Sequence, residues 1–299
     1  MYSEISSNKR KSVFLMMIFI AFIIFLGYIF DLAYGNASGI SGMSFAVIIS
    51  FFMTGVSFFA GDKIALSATG AKPIAHDDNK YLYHLVENLC ITSGTPMPKL
   101  YIIEDQAINA FATGRKPELA SIAVTRGALE KLTNEELEGV LAHELSHVRN
   151  YDIRFMMLIA VLVGTIAIFS DTMMRTAFFR GRGSSDRDNG NNQLAAIFMI
   201  IGIILAVLSP IIAELIKLAI SRQREYLADA SGSLLTRYPE GLASALEKIG
   251  QENRPMQKAS SATAHLFIAS PFSGKKMAAM FSTHPPVEER IKRLRTMGS

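Results

Sequence analysis

Residues 143–147 read His-Glu-Leu-Ser-His, and they combine two metal-binding side chains with one that can move a proton. Histidines four positions apart lie on one face of a helix, one turn from each other, which suits the ligation of a single tetrahedral metal ion. Glu144 lies between His143 and His147, where it can reach a water on that ion. The pattern predicts metal-assisted hydrolysis. The competing interpretation is two unrelated histidines on an amphipathic helix.

The residues before this motif predict the helix that carries it. Thr133 followed by Glu136 forms a capping box, and Leu137, Val140 and Leu141 recur at helical spacing. Both histidines therefore lie inside a helix, beyond its first turns.

A zinc site built for hydrolysis has three protein ligands and an open position for water, so a third ligand must come from elsewhere. Residues 148–152 lack the glycine and third histidine of the metzincins, which makes a carboxylate the expected ligand. Glu225 and Asp229 share one helical face, so one can bind the metal while the other orients a histidine. The competing interpretation is a solvated charged face, since Arg222 and Arg224 lie beside them.

Uncharged apolar runs predict insertion into a membrane. Half of the residues are hydrophobic, and runs of them occupy 13–30, 38–60, about 155–170 and about 194–212. The first two runs are long enough to cross about 30 Å of hydrocarbon. The first is interpreted as a span rather than a signal peptide, because it exceeds the usual length and leads through a short turn into the second. We therefore expect about four transmembrane segments.

Basic residues predict the orientation of these segments. Residues 9–11 read Lys-Arg-Lys, which favours a cytoplasmic N-terminus. Two spans then return the chain to the cytoplasm, so the zinc helix and Glu225 are expected on the cytoplasmic side of a bacterial inner membrane. Loops on the cytoplasmic side of a membrane are usually the ones rich in Lys and Arg. The loop between the third and fourth runs is expected on the opposite side, yet it contains Arg175, Arg180, Arg182 and Arg187. Either the second hairpin enters without fully crossing, or the N-terminal signal dominates.

Further motifs accompany the zinc helix along nearly the whole chain. They are Pro-Lys-Leu-Tyr-Ile at 98–102, Asn-Ala-Phe-Ala at 109–112, Arg-Glu-Tyr-Leu-Ala-Asp at 224–229, His-Pro-Pro at 284–286 and Glu-Arg-Ile at 289–291. In this combination the sequence resembles the M48 peptidases, and its hydrophobic layout resembles the HtpX branch of that family.

The resemblance implies a zinc-dependent metalloendopeptidase with one Zn²⁺ per chain. It implies His143, His147 and Glu225 as zinc ligands, Glu144 as the catalytic carboxylate and Asp229 as a carboxylate behind a ligand. It also implies a role in the quality control of misfolded or damaged membrane proteins during stress.

We accordingly predict an α+β fold, a predominantly helical integral membrane protein with a zincin-like catalytic domain. The expected organisation is a transmembrane hairpin in 1–60, a catalytic part with the zinc helix in 61–152, a second hairpin in 153–216 with a polar loop in 171–193, and a helical part with the third ligand in 217–299.

Within the catalytic part, apolar runs at 100–103, 110–113 and 122–125 predict strands. In zinc peptidases of this architecture a substrate extends along an edge strand, held by backbone hydrogen bonds. Asn109, Ala110 and Phe111 are the candidates for that strand. A plain core strand is the competing interpretation.

The C-terminal part predicts helices that begin at Pro239 and Pro285. Between them, residues 251–283 are polar and rich in Ser and Ala, and we expect a flexible flap over the cleft. His284 matches a family position and is a candidate hydrogen-bond donor to the oxyanion, with a structural role as the alternative.

The composition limits which kinds of molecule the protein can bind. The net charge of +4 is spread without a basic stripe, which argues against nucleic acid. The single cysteine, Cys90, excludes an internal disulfide and a cysteine-based metal site. The expected partners are the lipid bilayer and protein substrates, above all membrane proteins, and the sequence leaves the oligomeric state open.

Two rival functions are weaker. A catalytically silent, zinc-binding membrane scaffold or adaptor would have no use for Glu144, since structural zinc sites prefer four protein ligands. A channel or transporter would place charges or paired helix breaks inside its spans.

Overall fold

The structure is a computed structural model, and it describes residues 2–34, 42–162, 164, 222–252, 254–260, 262–272 and 285–297. Helix α1 spans Tyr2–Tyr34 and helix α2 spans Gly42–Thr69, and the two pack against each other. Among the described residues, one helical segment, Ala46–Thr69, is long and apolar enough to cross a membrane. The fourth predicted span, the second half of the third and the polar loop between them lie outside the described ranges.

Large apolar side chains on α1 and α2 remain exposed. They include Val13, Phe14, Met17 and Phe25 on α1 and Ile48, Phe51, Phe52 and Phe59 on α2. Many exposed large apolar side chains on neighbouring helices are typical of contact with lipid or with another protein. The two helices therefore present the surface that the first predicted hairpin requires.

A small mixed sheet follows α2. Its strands are β1 (Ala71–Pro73), β2 (Lys99–Ile103), β3 (Ala110–Thr113) and β4 (Ser121–Thr125), in the order β1-β2-β4-β3. β2 and β4 run parallel, whereas β1 pairs with β2 and β3 pairs with β4 in antiparallel register. The three predicted strands are confirmed. β3 lies at one end of the sheet, with one side of its backbone facing away from β4.

Seven α-helices are described after β1. They are α3 (Lys80–Ser93), α4 (Arg126–Lys131), α5 (Asn134–Arg149), α6 (residues 152–162), α7 (Arg222–Thr236), α8 (Pro239–Glu252) and α9 (Val287–Met297). The described part of the chain is thus mostly helical with a small mixed sheet, as predicted.

The sheet separates two apolar cores because alternate residues of a strand point to opposite faces. Ala110 and Ala112 join the core formed with α3, α5 and α8. Phe111 and Ala123 join a second core, formed with the end of α2, with α6 and with Phe267. The sheet is therefore buried on both faces, and the helix with the His-Glu-Leu-Ser-His motif packs against one of them.

Candidate metal centre

The start of α5 fixes which way its histidines point. Thr133 Oγ1 accepts a hydrogen bond from the Glu136 N–H at 3.4 Å, and Glu136 Oε2 accepts one from the Thr133 N–H at 2.8 Å. Lys248 Nζ donates to the same Glu136 oxygen at 2.7 Å. The predicted capping box is therefore present, and α8 reinforces it.

Two glycines allow α7 and α8 to approach α5 closely. A Cβ atom on Gly232 would lie 3.0 Å from the backbone nitrogen of His143, and one on Gly139 would lie 2.6 Å from the backbone nitrogen of Leu242. A side chain at Gly139 would force the backbone to shift, and one at Gly232 would make a contact tighter than most Cβ atoms make. The close packing of α7 is what brings Glu225 to the histidines.

Three donor side chains converge between α5 and α7. His143 Nε2 lies 3.2 Å from His147 Nε2. Glu225 Oε2 lies 3.8 Å from His143 Nε2, and Glu225 Oε1 lies 3.5 Å from His147 Nε2. All three residues are no more than 3% exposed. Tetrahedral zinc ligands with bonds of about 2.0–2.1 Å lie about 3.3 Å apart, so the set fits three ligands of one zinc ion.

A carboxylate and an arginine lie behind His143. Its Nδ1 atom is 2.9 Å from Asp229 Oδ1. Arg290 donates to both oxygens of that carboxylate, from Nε at 2.9 Å and from Nη2 at 2.7 Å. Burial lowers the pKa of His143 to about 4, although Asp229 opposes the shift. Burial thus favours the neutral imidazole of His143, which is the form that binds a metal.

A second carboxylate lies behind His147. Its Nδ1 atom makes a hydrogen bond of 3.1 Å with Asp152 Oδ2. Asp152 Oδ1 accepts a hydrogen bond from Asn8 Nδ2 at 2.7 Å and lies 3.2 Å from Arg224 Nε. Burial lowers the pKa of His147, but the hydrogen bond that its ring donates to Asp152 and the charge of Glu225 outweigh burial and raise the pKa to about 9.

Four of these supporting residues escaped sequence reasoning: Asn8, Asp152, Arg224 and Arg290. Asp152 carried a local signal, since it follows the zinc helix closely and is the next acidic residue after His147. Arg290 carried a signal as well, since it lies in the Glu-Arg-Ile motif at 289–291. Asn8 carried none, because it reaches the site from a distant part of the chain.

Glu144 is 2% exposed and faces the end strand of the sheet. The backbone N–H of Ala112, in β3, lies near the Glu144 carboxylate and favours its charged form. Burial raises the pKa of Glu144 to about 7 despite the opposing charge of His147. A carboxyl with such a pKa accepts and releases a proton near neutral pH.

The remaining candidates lie at the end strand or beyond the described residues. Ala110 and Phe111 belong to β3. Asn109 precedes that strand, and its side chain is buried and donates to the Ala269 carbonyl at 3.1 Å. His284 falls outside the described ranges.

Comparison with known proteins identifies the family. The model of Peptidase family M48 matches residues 76–298. The chain belongs to peptidase family M48. This M48 peptidase has relatives along its whole length, and the predicted resemblance to the HtpX branch is confirmed by them.

Two of these relatives carry the printed name "Protease HtpX homolog". The one from Caldanaerobacter subterraneus subsp. tengcongensis is 44% identical over 297 residues, which cover 99% of this chain and 98% of the relative. The one from Tropheryma whipplei (strain Twist) is 44% identical over 299 residues, which cover 100% of this chain and 99% of the relative.

A solved structure supports the fold. The crystal structure of S. mikatae Ste24p matches with a TM-score of 0.54 at 18% identity, and the match covers 98% of this chain and 67% of that one. At this identity the similarity concerns the fold alone. Membership of a peptidase family means that the M48 peptidase described here acts on protein substrates.

Proposed function

We propose that this M48 peptidase is a zinc-dependent endopeptidase that cleaves proteins at the cytoplasmic face of the membrane. The observation that carries the proposal is the convergence of His143, His147 and Glu225, with Glu144 buried beside them. A structural zinc site prefers four protein ligands, whereas three donors and a nearby carboxylate suit hydrolysis. This argues against the zinc-binding scaffold.

His143, His147 and Glu225 hold the zinc in this proposal, and the carboxylates of Asp229 and Asp152 fix the orientation of the two imidazoles. A zinc ion so held supplies a water of lowered pKa and polarises the scissile carbonyl. Glu144 takes the proton of the attacking water and delivers it to the leaving amine.

The outer edge of β3 is the proposed substrate strand. Ala110 and Ala112 direct their backbone groups to the same side of the strand, because the residues of a strand alternate. The Ala112 N–H on that side reaches the Glu144 carboxylate. An extended peptide that paired with this edge would therefore pass beside the catalytic carboxylate. Recognition through backbone hydrogen bonds selects extended, unfolded segments with little regard for their side chains.

Membrane proteins are the proposed substrates, and their quality control is the proposed role. Helix α6, whose first residue Asp152 contacts His147, opens the third apolar run. The site is thus adjacent to a segment that we propose as a transmembrane span, one of four. Lys9 and its basic neighbours support a cytoplasmic N-terminus and a cytoplasmic site.

The proposal is tested by purifying the protein in detergent under chelation, restoring Zn²⁺ and measuring degradation of an unfolded protein and self-cleavage. We expect zinc-dependent cleavage in the wild type and its loss in Glu144→Gln. The zinc content of both proteins, measured by mass spectrometry, should be equal. Zinc binding without cleavage in either protein would favour the scaffold instead. Equal cleavage by both would refute the role of Glu144.

A further inference from the structure

The outer edge of β3 is occupied by another part of the chain. Residues 262–272, here called the strap, lie along it. Phe267 pairs with Phe111 as an antiparallel bridge, and the Ile268 N–H donates to the Ala110 carbonyl at 3.0 Å. The two phenylalanine rings meet edge to face, with centroids 5.1 Å apart. The sequence predicted a flexible flap over residues 251–283, but within that segment residues 263–269 are buried, and Phe267 and Ile268 pair with β3.

Three further contacts hold the strap. Asn109 Nδ2 donates to the Ala269 carbonyl at 3.1 Å. Arg290 Nη1 donates to the Ile268 carbonyl at 3.0 Å. A ring nitrogen of His265 lies 2.9 Å from the Met156 carbonyl, in α6. Arg290 is the residue that also holds Asp229, so one guanidinium joins the strap to the metal centre.

The strap and a substrate need the same backbone groups. A peptide added to β3 must donate to the Ala110 carbonyl, which already accepts from Ile268. The site behind this edge is closed, since His143 is 0% and Glu144 2% exposed. A substrate backbone therefore reaches Glu144 only if the strap leaves the strand.

We propose that the strap is an internal substitute for substrate, which keeps the site closed until an extended segment of a target protein displaces it from β3. This inference rests on the proposed peptidase function. An incoming extended strand replaces the backbone hydrogen bond that the strap gives up, whereas a folded protein offers no free strand to do so. The strap thus restricts cleavage to unfolded segments.

A disulfide between the strap and β3 tests the proposal. Phe111 and Phe267 form a non-hydrogen-bonded antiparallel pair, whose Cα atoms are typically about 4.5 Å apart and within the range for a disulfide. Phe111→Cys and Phe267→Cys are combined in a Cys90→Ser background. The oxidised protein should cleave an unfolded substrate, and lose zinc to EDTA, at least about tenfold more slowly than the same protein reduced with a phosphine.

The comparison of oxidised and reduced forms of one protein removes differences in folding between variants. Equal cleavage rates in the two forms, with the disulfide verified by mass, would overturn the strap proposal. The rate of zinc loss provides a second readout that needs no activity. If wild-type protein binds zinc but cleaves nothing, the proposed peptidase function is wrong. If the oxidised and reduced proteins lose zinc at equal rates, the proposal that the strap closes the site is wrong.

A second pair of variants weakens the strap rather than locking it. Ile268→Pro and Ile268→Ala both remove a buried side chain, but only proline also removes the N–H that donates to Ala110. We expect zinc loss to EDTA to be about fivefold faster in the proline variant than in the alanine variant, as loss of one hydrogen bond implies. Equal rates in the two variants would contradict the inference.

Discussion

Each histidine of the proposed zinc site rests on a carboxylate, and each carboxylate is in turn approached by an arginine. Asp229 receives two hydrogen bonds from Arg290, which is fully buried. Asp152 lies beside Arg224 on the other side of the site. Buried charges of this kind are tolerated because they are paired, and removing one partner leaves the other uncompensated.

We expect Asp229→Asn to weaken zinc binding by about 10- to 100-fold, because an amide orients His143 without the charge that supports it. Competition with a fluorescent chelator measures the affinity. Asp77→Asn is the matched control, since the Asp77 side chain is 87% exposed. An unchanged affinity in Asp229→Asn would remove Asp229 from the proposed site.

Arg290→Met should destabilise the protein by about 3–5 kcal/mol, because it leaves Asp229 buried without its partner. Arg290→Lys should rescue only part of this loss, since an ammonium cannot make the paired hydrogen bonds of a guanidinium. Thermal unfolding in detergent, followed by circular dichroism, measures both effects. Full stability in Arg290→Lys would show that charge alone, and not the paired geometry, matters.

At the scale of elements, the site depends on how closely α7 packs against α5. Gly232 lies where any side chain would meet the backbone of His143. The histidines and Glu225 come from different helices, so their distances follow from helix packing rather than from either helix alone.

Gly232→Ala should destabilise the protein by about 1–3 kcal/mol, because α7 must move away from α5 to admit the methyl group. It should also weaken zinc binding, since Glu225 moves with α7. Gly55→Ala is the control, because a Cβ atom there meets nothing within 4 Å. Thermal unfolding and chelator competition give the two readouts, and equal behaviour of both variants would disprove the packing argument.

Local sequence patterns account for the elements that were predicted. β2, β3 and β4 are apolar runs, and α5 has a capping box with helical periodicity, so each is determined by neighbouring residues. β1 is only Ala71–Pro73 and owes its pairing to β2. The pairing of Phe267 with Phe111 joins distant segments and has no local signature. The motif residues of the candidate site were recognisable for the same reason. Arg290 lay in a recognised motif without an assigned role, and Asn8 lay in none.

At the scale of the whole molecule, the N-terminal helix is joined to the metal centre. Asn8 is 1% exposed and donates both to the Asn150 carbonyl at 2.9 Å and to Asp152 at 2.7 Å. The helix that carries Asn8 is the one proposed to enter the membrane first. Displacement of α1 would therefore disturb the carboxylate that supports His147.

Asn8→Ala should lower zinc affinity by about tenfold, because Asp152 loses a hydrogen bond and His147 loses part of its support. Asn88→Ala, at an exposed position of α3, is the control. Chelator competition in detergent measures both proteins. An affinity equal to that of the control would indicate that α1 is only an anchor.

The groups that build the metal centre are spread along the chain, from Asn8 through α5 to Glu225 and Arg290. Ribosomes make the chain from its N-terminus, so a nascent chain that has just produced α5 carries the two histidines without Glu225. The groups that complete the site, and the strap that covers it, emerge only after the intervening apolar runs. If the proposed site is the active one, an incomplete chain is therefore expected to be inert toward itself and its neighbours during translation and insertion.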